Sequence, residues 1–190
     1  MRAFLAIEIP AAIRTLLGET IRELARLPVE AGWVKPGNIH LTLKFLGDVP
    51  ESSQSQIAKA MQEAVKGIPP FRLDLEGLGA FPNARRPRVL WAGLAGQAGQ
   101  AAVAHQLQSR LEERLAAAGF PREEKSFKPH LTLARIKSIA DPRHLAKGLA
   151  AYRLPPASFL VERIVLFESV LHPTGARYTE LAEARLDSQG

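Results

Sequence analysis

The tetrapeptide His-Leu-Thr-Leu occurs twice in the chain, beginning once at His40 and again at His130. Each copy is predicted to lie in a β-strand, where residues two apart project from the same face. One face of each strand then holds a histidine and a threonine, Thr42 or Thr132, and the other face holds two leucines for the core. Two imidazoles and two hydroxyls that face each other would suit proton transfer at an anion whose bonds are made and broken.

Repetition is what makes this pattern indicate function, because a single His-x-Thr on a strand is usually a packed or surface histidine. The two copies agree at four consecutive positions, which indicates a duplicated architecture. The other histidines are predicted to be solvated on helices or to lie in a loop, and they are His105, His144 and His172.

Composition limits the classes of protein to which the chain can belong. A length of 190 residues suits one domain, or two small lobes that share a core. A net charge of +6 and a sequence pI of about 10.0 favour acidic partners such as nucleic acid or phosphates. The absence of cysteine excludes disulfides, thiolate metal sites and cysteine nucleophiles. The first residues lack the pattern of a signal peptide and no apolar run could span a membrane, so we expect a soluble, cytoplasmic protein.

Hydrophobic periodicity predicts helices that alternate with strands. Helices are predicted after Pro10, around 57–65, across 103–115 with a C-cap at Gly119, and after Asp141. Strands are predicted at 3–9, 39–46, 71–76, 88–94, 130–133, 159–167 and 177–186. The segment 28–38 is predicted to be a loop and 172–175 a turn, and Asp48 and Glu51 have the spacing of a capping box.

The order of these elements indicates the fold class. Short turns between consecutive strands favour antiparallel sheets with the helices outside them, an α+β arrangement. The second half of the chain repeats the order of the first without its leading strand, and no segment has the composition of a linker. We therefore expect residues 1–190 to form a single domain with two lobes.

The repeated motif and its surroundings resemble the 2H phosphoesterase superfamily, and in particular its bacterial and archaeal RNA 2′,3′-cyclic phosphodiesterases, also called 2′-5′ RNA ligases. The supporting segments span nearly the whole chain in the expected order: Phe4-x-Ala6-Ile7, 40–47, Gly79-x-Phe81-Pro82, Arg88-Val89-x-Trp91, 127–135 and Arg177-Tyr178-Thr179. The resemblance implies two lobes related by a pseudo-two-fold axis, each an antiparallel sheet with helices on its outer side. It also implies an active-site cleft between the lobes.

The resemblance further implies an activity, the hydrolysis of 2′,3′-cyclic phosphodiesters on RNA ends or nucleotides to 2′-phosphomonoesters, with reversible 2′-5′ RNA ligation beside it. Hydrolysis needs a base that activates water and an acid that protonates the departing alkoxide, while threonine hydroxyls can hold the phosphoryl oxygens. From the residues alone, either histidine can be the acid. The resemblance implies that His40 protonates O3′ and that His130 takes a proton from water. This arrangement requires no metal and no cofactor.

Three further residues are predicted to bind the substrate. Phe45 and Arg135 each follow a motif histidine by five positions, where either could stack on a base and the arginine could bind phosphate. Strict strand alternation would point both toward the core, so a bulge or a strand end is needed to bring them to the ligand. In the family, the counterpart of Phe45 often stacks on the nucleobase. Lys128, two residues before His130, is placed either to approach a phosphate or to remain solvated.

Two other functions are compatible with parts of the sequence. A non-catalytic RNA-binding module would use the net charge, Trp33, Phe45 and the Arg85-Arg86 turn, although it would not need two matched imidazole–hydroxyl pairs. A metal hydrolase built on the two motif histidines would need a carboxylate cluster or His-rich spacing nearby, and the sequence has neither. Trp33 is otherwise expected to pack over the edge of the core. We expect the protein to be a monomer.

Overall fold

The computed structural model of the protein describes residues 1–96, 100–173 and 175–187. The elements in these ranges are β1 (Arg2–Glu8), α1 (Ala11–Leu24), β2 (Val29–Trp33), β3 (His40–Asp48), α2 (Gln54–Val65), β4 (Phe71–Phe81), β5 (Val89–Ala95), α3 (Gln100–Ala117), β6 (His130–Ile139), α4 (Pro142–Ala151), β7 (Ser158–Val161), β8 (Arg163–His172) and β9 (Gly175–Arg185). Short 3₁₀ turns at Pro36–Asn38 and Glu51–Ser53 precede β3 and α2.

Within these ranges, the nine strands form one antiparallel sheet. Its strand order is β7-β4-β5-β6-β3-β1-β8-β9, and β2 pairs with β6. A single residue pair, Leu41 with Leu131, joins β3 to β6. This pair divides the sheet into two halves. One half contains β7, β4, β5, β6 and β2, and the other contains β3, β1, β8 and β9. Each half contributes one copy of the His-x-Thr motif. The prediction of an α+β fold with two related lobes is confirmed, with the addition that the lobe sheets are continuous through this pair.

The apolar core lies on the leucine face of the two motif strands. The leucines of both motifs are buried, and the helices pack over them through side chains spaced as the sequence predicts. Those helical side chains include Ile13, Leu17, Ile21, Ile57, Met61, Val65, Leu107, Leu111 and Leu115. This one cluster includes residues from both halves of the sheet.

The predicted end of α3 and start of α4 are both confirmed. Gly119 has a positive φ of +86°, and its N–H donates to Ala116 while the next N–H, of Phe120, donates to Leu115, which is a Schellman C-cap. At α4, the Asp141 carboxylate accepts a hydrogen bond from the backbone N–H of Arg143 at 2.9 Å.

Two local predictions, one of a loop and one of a helix cap, are wrong. The segment 28–38 contains a strand, β2, because β6 offers it an edge: Trp33 pairs with Ala134 and Gly32 with Arg135. The capping box at Asp48 and Glu51 does not form, since Asp48 ends β3 and residues 51–53 make a 3₁₀ turn before α2 begins at Gln54.

The predicted strand 159–167 is in fact two strands in different halves of the sheet. β7 pairs with β4, and β8 pairs with β1, with Glu162 between them. The sheet therefore curls, because one intervening residue connects strands that are far apart in the strand order. The segment 159–167 is apolar and mostly buried, with Phe159, Val161, Ile164, Val165 and Leu166 in the core, so its sequence does not reveal the change of pairing partner at Glu162.

No helix in the described ranges combines the length and the apolar character needed to cross a membrane.

Candidate active site

The two motifs meet where β3 and β6 pair. Leu41 and Leu131 are opposite each other in an antiparallel register. One step further along this register, His40 lies across from Thr132, and Thr42 lies across from His130. All four side chains project from the face opposite the leucines and are half-buried. The fold thus brings together the two imidazoles and two hydroxyls that the sequence predicts.

Each histidine is held by the same backbone contact. Nδ1 of His40 lies 2.8 Å from the carbonyl oxygen of Asn38, and Nδ1 of His130 lies 2.6 Å from that of Lys128. A carbonyl oxygen can only accept, so Nδ1 carries the proton and donates it in both rings. Nε2 of each ring is then the atom available to accept or donate a proton.

Aromatic rings surround each imidazole. Phe4 stacks on His40 with ring centroids 4.7 Å apart, and Tyr178 meets the same ring edge-on at 5.3 Å. Phe81 meets His130 edge-on at 4.9 Å, with Trp91 further away at 6.4 Å. The sequence motifs predict no role for these aromatic residues. The signal for them was present, because each belongs to one of the short segments that support the family resemblance.

Burial among these rings lowers the pKa of both His40 and His130 below the usual range for histidine. The Nδ1 hydrogen bond to a backbone carbonyl partly offsets this effect on each pKa. The positive charge of Arg14 lowers the pKa of His40 further. Burial also raises the pKa of Tyr178, so its phenol stays neutral at ordinary pH. A bound phosphate would stabilise the charged form of either imidazole.

A bulge in β3 returns Phe45 to the histidine face. The register of β3 against β1 shifts between Thr42 and Lys44, so Leu43 is an extra residue. Leu43 and Lys44 are both buried, and Phe45, which is 57% exposed, lines the same cleft as His40 and Thr42.

β6 has the same bulge at the same place. Its register against β5 shifts between Thr132 and Ala134, which leaves Leu133 as the extra residue. Leu133 and Ala134 are buried, and the exposed Arg135 lines the cleft. The bulge that both substrate-binding predictions required is therefore present in each motif strand.

The cleft between the two halves has a volume of about 360 Å³. Its lining includes five of the predicted site residues, namely His40, Thr42, Phe45, Thr132 and Arg135. His130 is outside that lining and lies beside it, across from Thr42. Lys128 is exposed and also outside the lining, with its ammonium group 6.0 Å from the centre of the Phe81 ring.

The other candidates from the sequence lie away from the cleft. Trp33 is half-buried and packs against the core, as predicted. Arg85 and Arg86 are exposed in a turn where their N–H groups donate to the side chain of Asn83. His105 and His144 are exposed on α3 and α4, and His172 is exposed at the β8–β9 turn. Thr174 of that predicted turn is outside the described residues.

Among the residues that the structure describes, no group of three or more His, Cys, Asp or Glu side chains is arranged to hold a metal ion. The expectation of chemistry without a metal or a cofactor stays a prediction.

Comparison with known proteins identifies relatives of this architecture. A family model described as the 2′-5′ RNA ligase superfamily matches residues 17–172. An RNA 2′,3′-cyclic phosphodiesterase of Aquifex aeolicus is 35% identical over 184 residues, which is 96% of this chain and 96% of the relative. An RNA 2′,3′-cyclic phosphodiesterase of Thermotoga maritima is 34% identical, over 98% of this chain and 96% of the relative.

Solved structures agree with these matches. A crystal structure of a Thermus thermophilus protein has a TM-score of 0.75 at 33% identity and covers 100% of this chain and 99% of its own. E. coli LigT, crystallised with 3′-AMP, also has a TM-score of 0.75, at 28% identity and 97% coverage of both chains.

Proposed function

The chain belongs to the 2′-5′ RNA ligase superfamily, and from that premise we propose that it is an RNA 2′,3′-cyclic phosphodiesterase. The substrate is an RNA end or a nucleotide with a 2′,3′-cyclic phosphate, and the product is a 2′-phosphomonoester. The observation that supports this most directly is the pair of imidazoles, each with Nδ1 bound to a backbone carbonyl and Nε2 available for proton transfer. We also propose that residues 1–190 act as one bilobal domain, because a single core includes both halves of the sheet.

The reaction uses one histidine in each protonation state. Nε2 of His130 accepts a proton from water as the water oxygen forms a bond to phosphorus. The bond from phosphorus to O3′ breaks, and the protonated Nε2 of His40 donates its proton to O3′. His130 ends protonated and His40 neutral, and exchange with solvent restores the starting state. If a 5′-hydroxyl takes the place of water, the same steps form a 2′-5′ phosphodiester bond.

The remaining cleft residues bind the phosphate and the nucleoside. The hydroxyls of Thr42 and Thr132 donate to the non-bridging oxygens, where charge is concentrated in the transition state. Phe45 stacks on the base of the terminal nucleoside, and Arg135 binds phosphate or the opposite face of a base. Lys128 attracts the substrate from the rim rather than from within the cleft.

The test is turnover of nucleoside 2′,3′-cyclic phosphates by the purified full chain, with products separated by chromatography. We expect a 2′-phosphate product, and activity that survives dialysis against EDTA because no metal takes part. A His144→Ala variant, altered at an exposed histidine away from the cleft, serves as the matched control and should keep full activity. Binding of RNA without turnover would favour the non-catalytic module instead. A 3′-phosphate product would contradict the regiochemistry, and loss of activity that a divalent ion restores would contradict the metal-free mechanism.

A further inference from the structure

The β8–β9 hairpin forms one wall of the cleft. The proposed reaction at phosphorus assigns no role to the residues of this wall. Its paired residues alternate between two faces: Ser169 is opposite Tyr178 and Leu171 is opposite Ala176. These four residues all line the cleft, whereas Val170, between them, is on the other face.

Leu171 is 70% exposed, more than any other large apolar side chain in the described ranges. Single exposed leucines are common on protein surfaces and need no explanation. This one is different because it lies in a cleft that Tyr178 also lines, and Tyr178 packs against the buried rings of Phe4 and Phe167. Its surroundings are therefore those of a binding surface.

The hairpin is fixed with respect to the histidine that it faces. The side-chain amide of Asn38 donates to the carbonyl of Ala176 at 2.8 Å, and the carbonyl of the same asparagine accepts from Nδ1 of His40. Tyr178 on the hairpin also contacts the His40 ring. One residue thus holds both the hairpin and the imidazole, so a ligand group on the hairpin would be positioned relative to the phosphate.

The cleft holds two exposed apolar side chains, Phe45 and Leu171, and two exposed arginines, Arg2 and Arg135. A single terminal nucleoside has one base, and in the proposed function Phe45 contacts it. Leu171 then remains for a second base, and the arginines complement a second phosphate. Because a 2′,3′-cyclic phosphate closes the 3′ end of its strand, any second nucleotide must be the 5′ neighbour.

We propose that the hairpin face formed by Ser169, Leu171, Ala176 and Tyr178 binds the nucleotide on the 5′ side of the cyclic end, so that the enzyme prefers RNA strands to mononucleotides. This inference rests on the proposed function, since it assigns a second subsite to the same cleft. Contact with Leu171 is apolar and makes no base-specific hydrogen bond, so the subsite should accept all four bases.

The experiment compares a nucleoside 2′,3′-cyclic phosphate with a dinucleotide that ends in the same cyclic nucleotide. The unmodified enzyme should have a higher kcat/KM for the dinucleotide. We define the ratio as kcat/KM for the dinucleotide divided by kcat/KM for the mononucleotide. Leu171→Ala should lower this ratio by about fivefold to tenfold, because apolar contact with one base is lost and KM for the dinucleotide rises. Leu171→Asp should lower the ratio further, because its charge repels the phosphate between the two nucleotides.

Val170→Ala is the matched control, because Val170 is also exposed and belongs to the same strand but projects from the opposite face. It should leave the ratio unchanged. A ratio that stays the same in both Leu171 variants, or that falls equally in Val170→Ala, would overturn the second subsite. Failure of the unmodified enzyme to turn over either substrate would instead overturn the proposed function itself.

Discussion

The two copies of the His-x-Thr motif share a backbone geometry but have different surroundings. In both, a carbonyl two residues before the histidine binds Nδ1, and a bulge follows the threonine. The residues just after the extra leucine differ: Lys44 and Phe45 in one copy, Ala134 and Arg135 in the other. In the proposed function, the shared geometry positions the two imidazoles for proton transfer. The differing positions give the two strands different side chains, Phe45 for a base and Arg135 for a phosphate or a base.

The difference extends into the core below the bulge. Nζ of Lys44 donates to both carboxylate oxygens of Glu112, each at 2.9 Å, and to the carbonyl of Pro121 at 2.8 Å. Glu112 also accepts from the side chain of Gln108 and from the N–H of Glu123. These bonds connect the β3 bulge to α3 and to the segment before β6. The side chain of Ala134, in the equivalent place on β6, is a methyl group and cannot make such bonds.

The largest effect should come from removing either imidazole. His40→Ala and His130→Ala should each lower kcat by about 10²-fold to 10⁴-fold, because each variant lacks one proton-transfer group. The double variant should be little slower than either single variant, since the two histidines act as a unit. Single-turnover rates with a cyclic mononucleotide measure this, and effects that multiply in the double variant would mean independent roles.

A substrate with an activated leaving group at the 3′ position separates the roles of the two histidines. It no longer needs a proton donor, so it should restore activity to His40→Ala and leave His130→Ala inactive. Restoration of His130→Ala alone would reverse the two assignments.

The next largest effect is on the free energy of unfolding. It concerns the β3 bulge and not the β6 bulge. Lys44→Met leaves Glu112 buried without its cation, which should cost about 3–5 kcal/mol of the free energy of unfolding. Lys44→Met combined with Glu112→Leu should recover most of that loss, because no buried charge then remains unpaired. Urea denaturation of the three proteins measures both effects. The surface pair of Lys66 with Glu63 supplies the control, and Lys66→Met should leave the midpoint unchanged. An equally stable Lys44→Met variant would show that the buried ion pair does not hold the bulge.

A smaller effect should distinguish the two side chains after the bulges. Phe45→Ala should raise KM for cyclic mononucleotides more than it lowers kcat, because loss of base stacking costs roughly 1–3 kcal/mol. Arg135→Ala should weaken binding too, and more strongly at low ionic strength because its partner includes phosphate. Steady-state kinetics at two salt concentrations separate these contributions. An unchanged KM in Phe45→Ala would remove that ring from the binding site.

Local patterns account for what the sequence could predict. Strand alternation correctly assigned Leu41 and Leu131 to the core and the motif histidines to the opposite face, because alternation depends only on neighbouring residues. The need for a bulge before Phe45 followed from the same rule, but its position did not, since partners on β1 and β5 determine the register. The same limit explains the missed strand β2, which depends on an edge of β6 that is about a hundred residues away in sequence. It also explains why the aromatic neighbours of the histidines, which come from four other strands, had no predicted role.

The smallest effect should come from removing the charge of Arg14. This charge lowers the pKa of His40 and is not among the causes that lower the pKa of His130. Both histidine pKa values lie below their usual range, so kcat/KM should follow a bell-shaped pH profile with its maximum below about pH 6.5.

In Arg14→Gln the pKa of His40 should rise. If His40 is the acid, a larger fraction of it stays protonated at alkaline pH, so the rate there should rise by less than about threefold. The rate at acidic pH depends on the deprotonated fraction of His130 and should not change. If His40 were the base, the alkaline rate would stay the same and the acidic rate would fall. Profiles of kcat/KM for the unmodified enzyme and Arg14→Gln therefore test which motif holds the acid without removing either histidine.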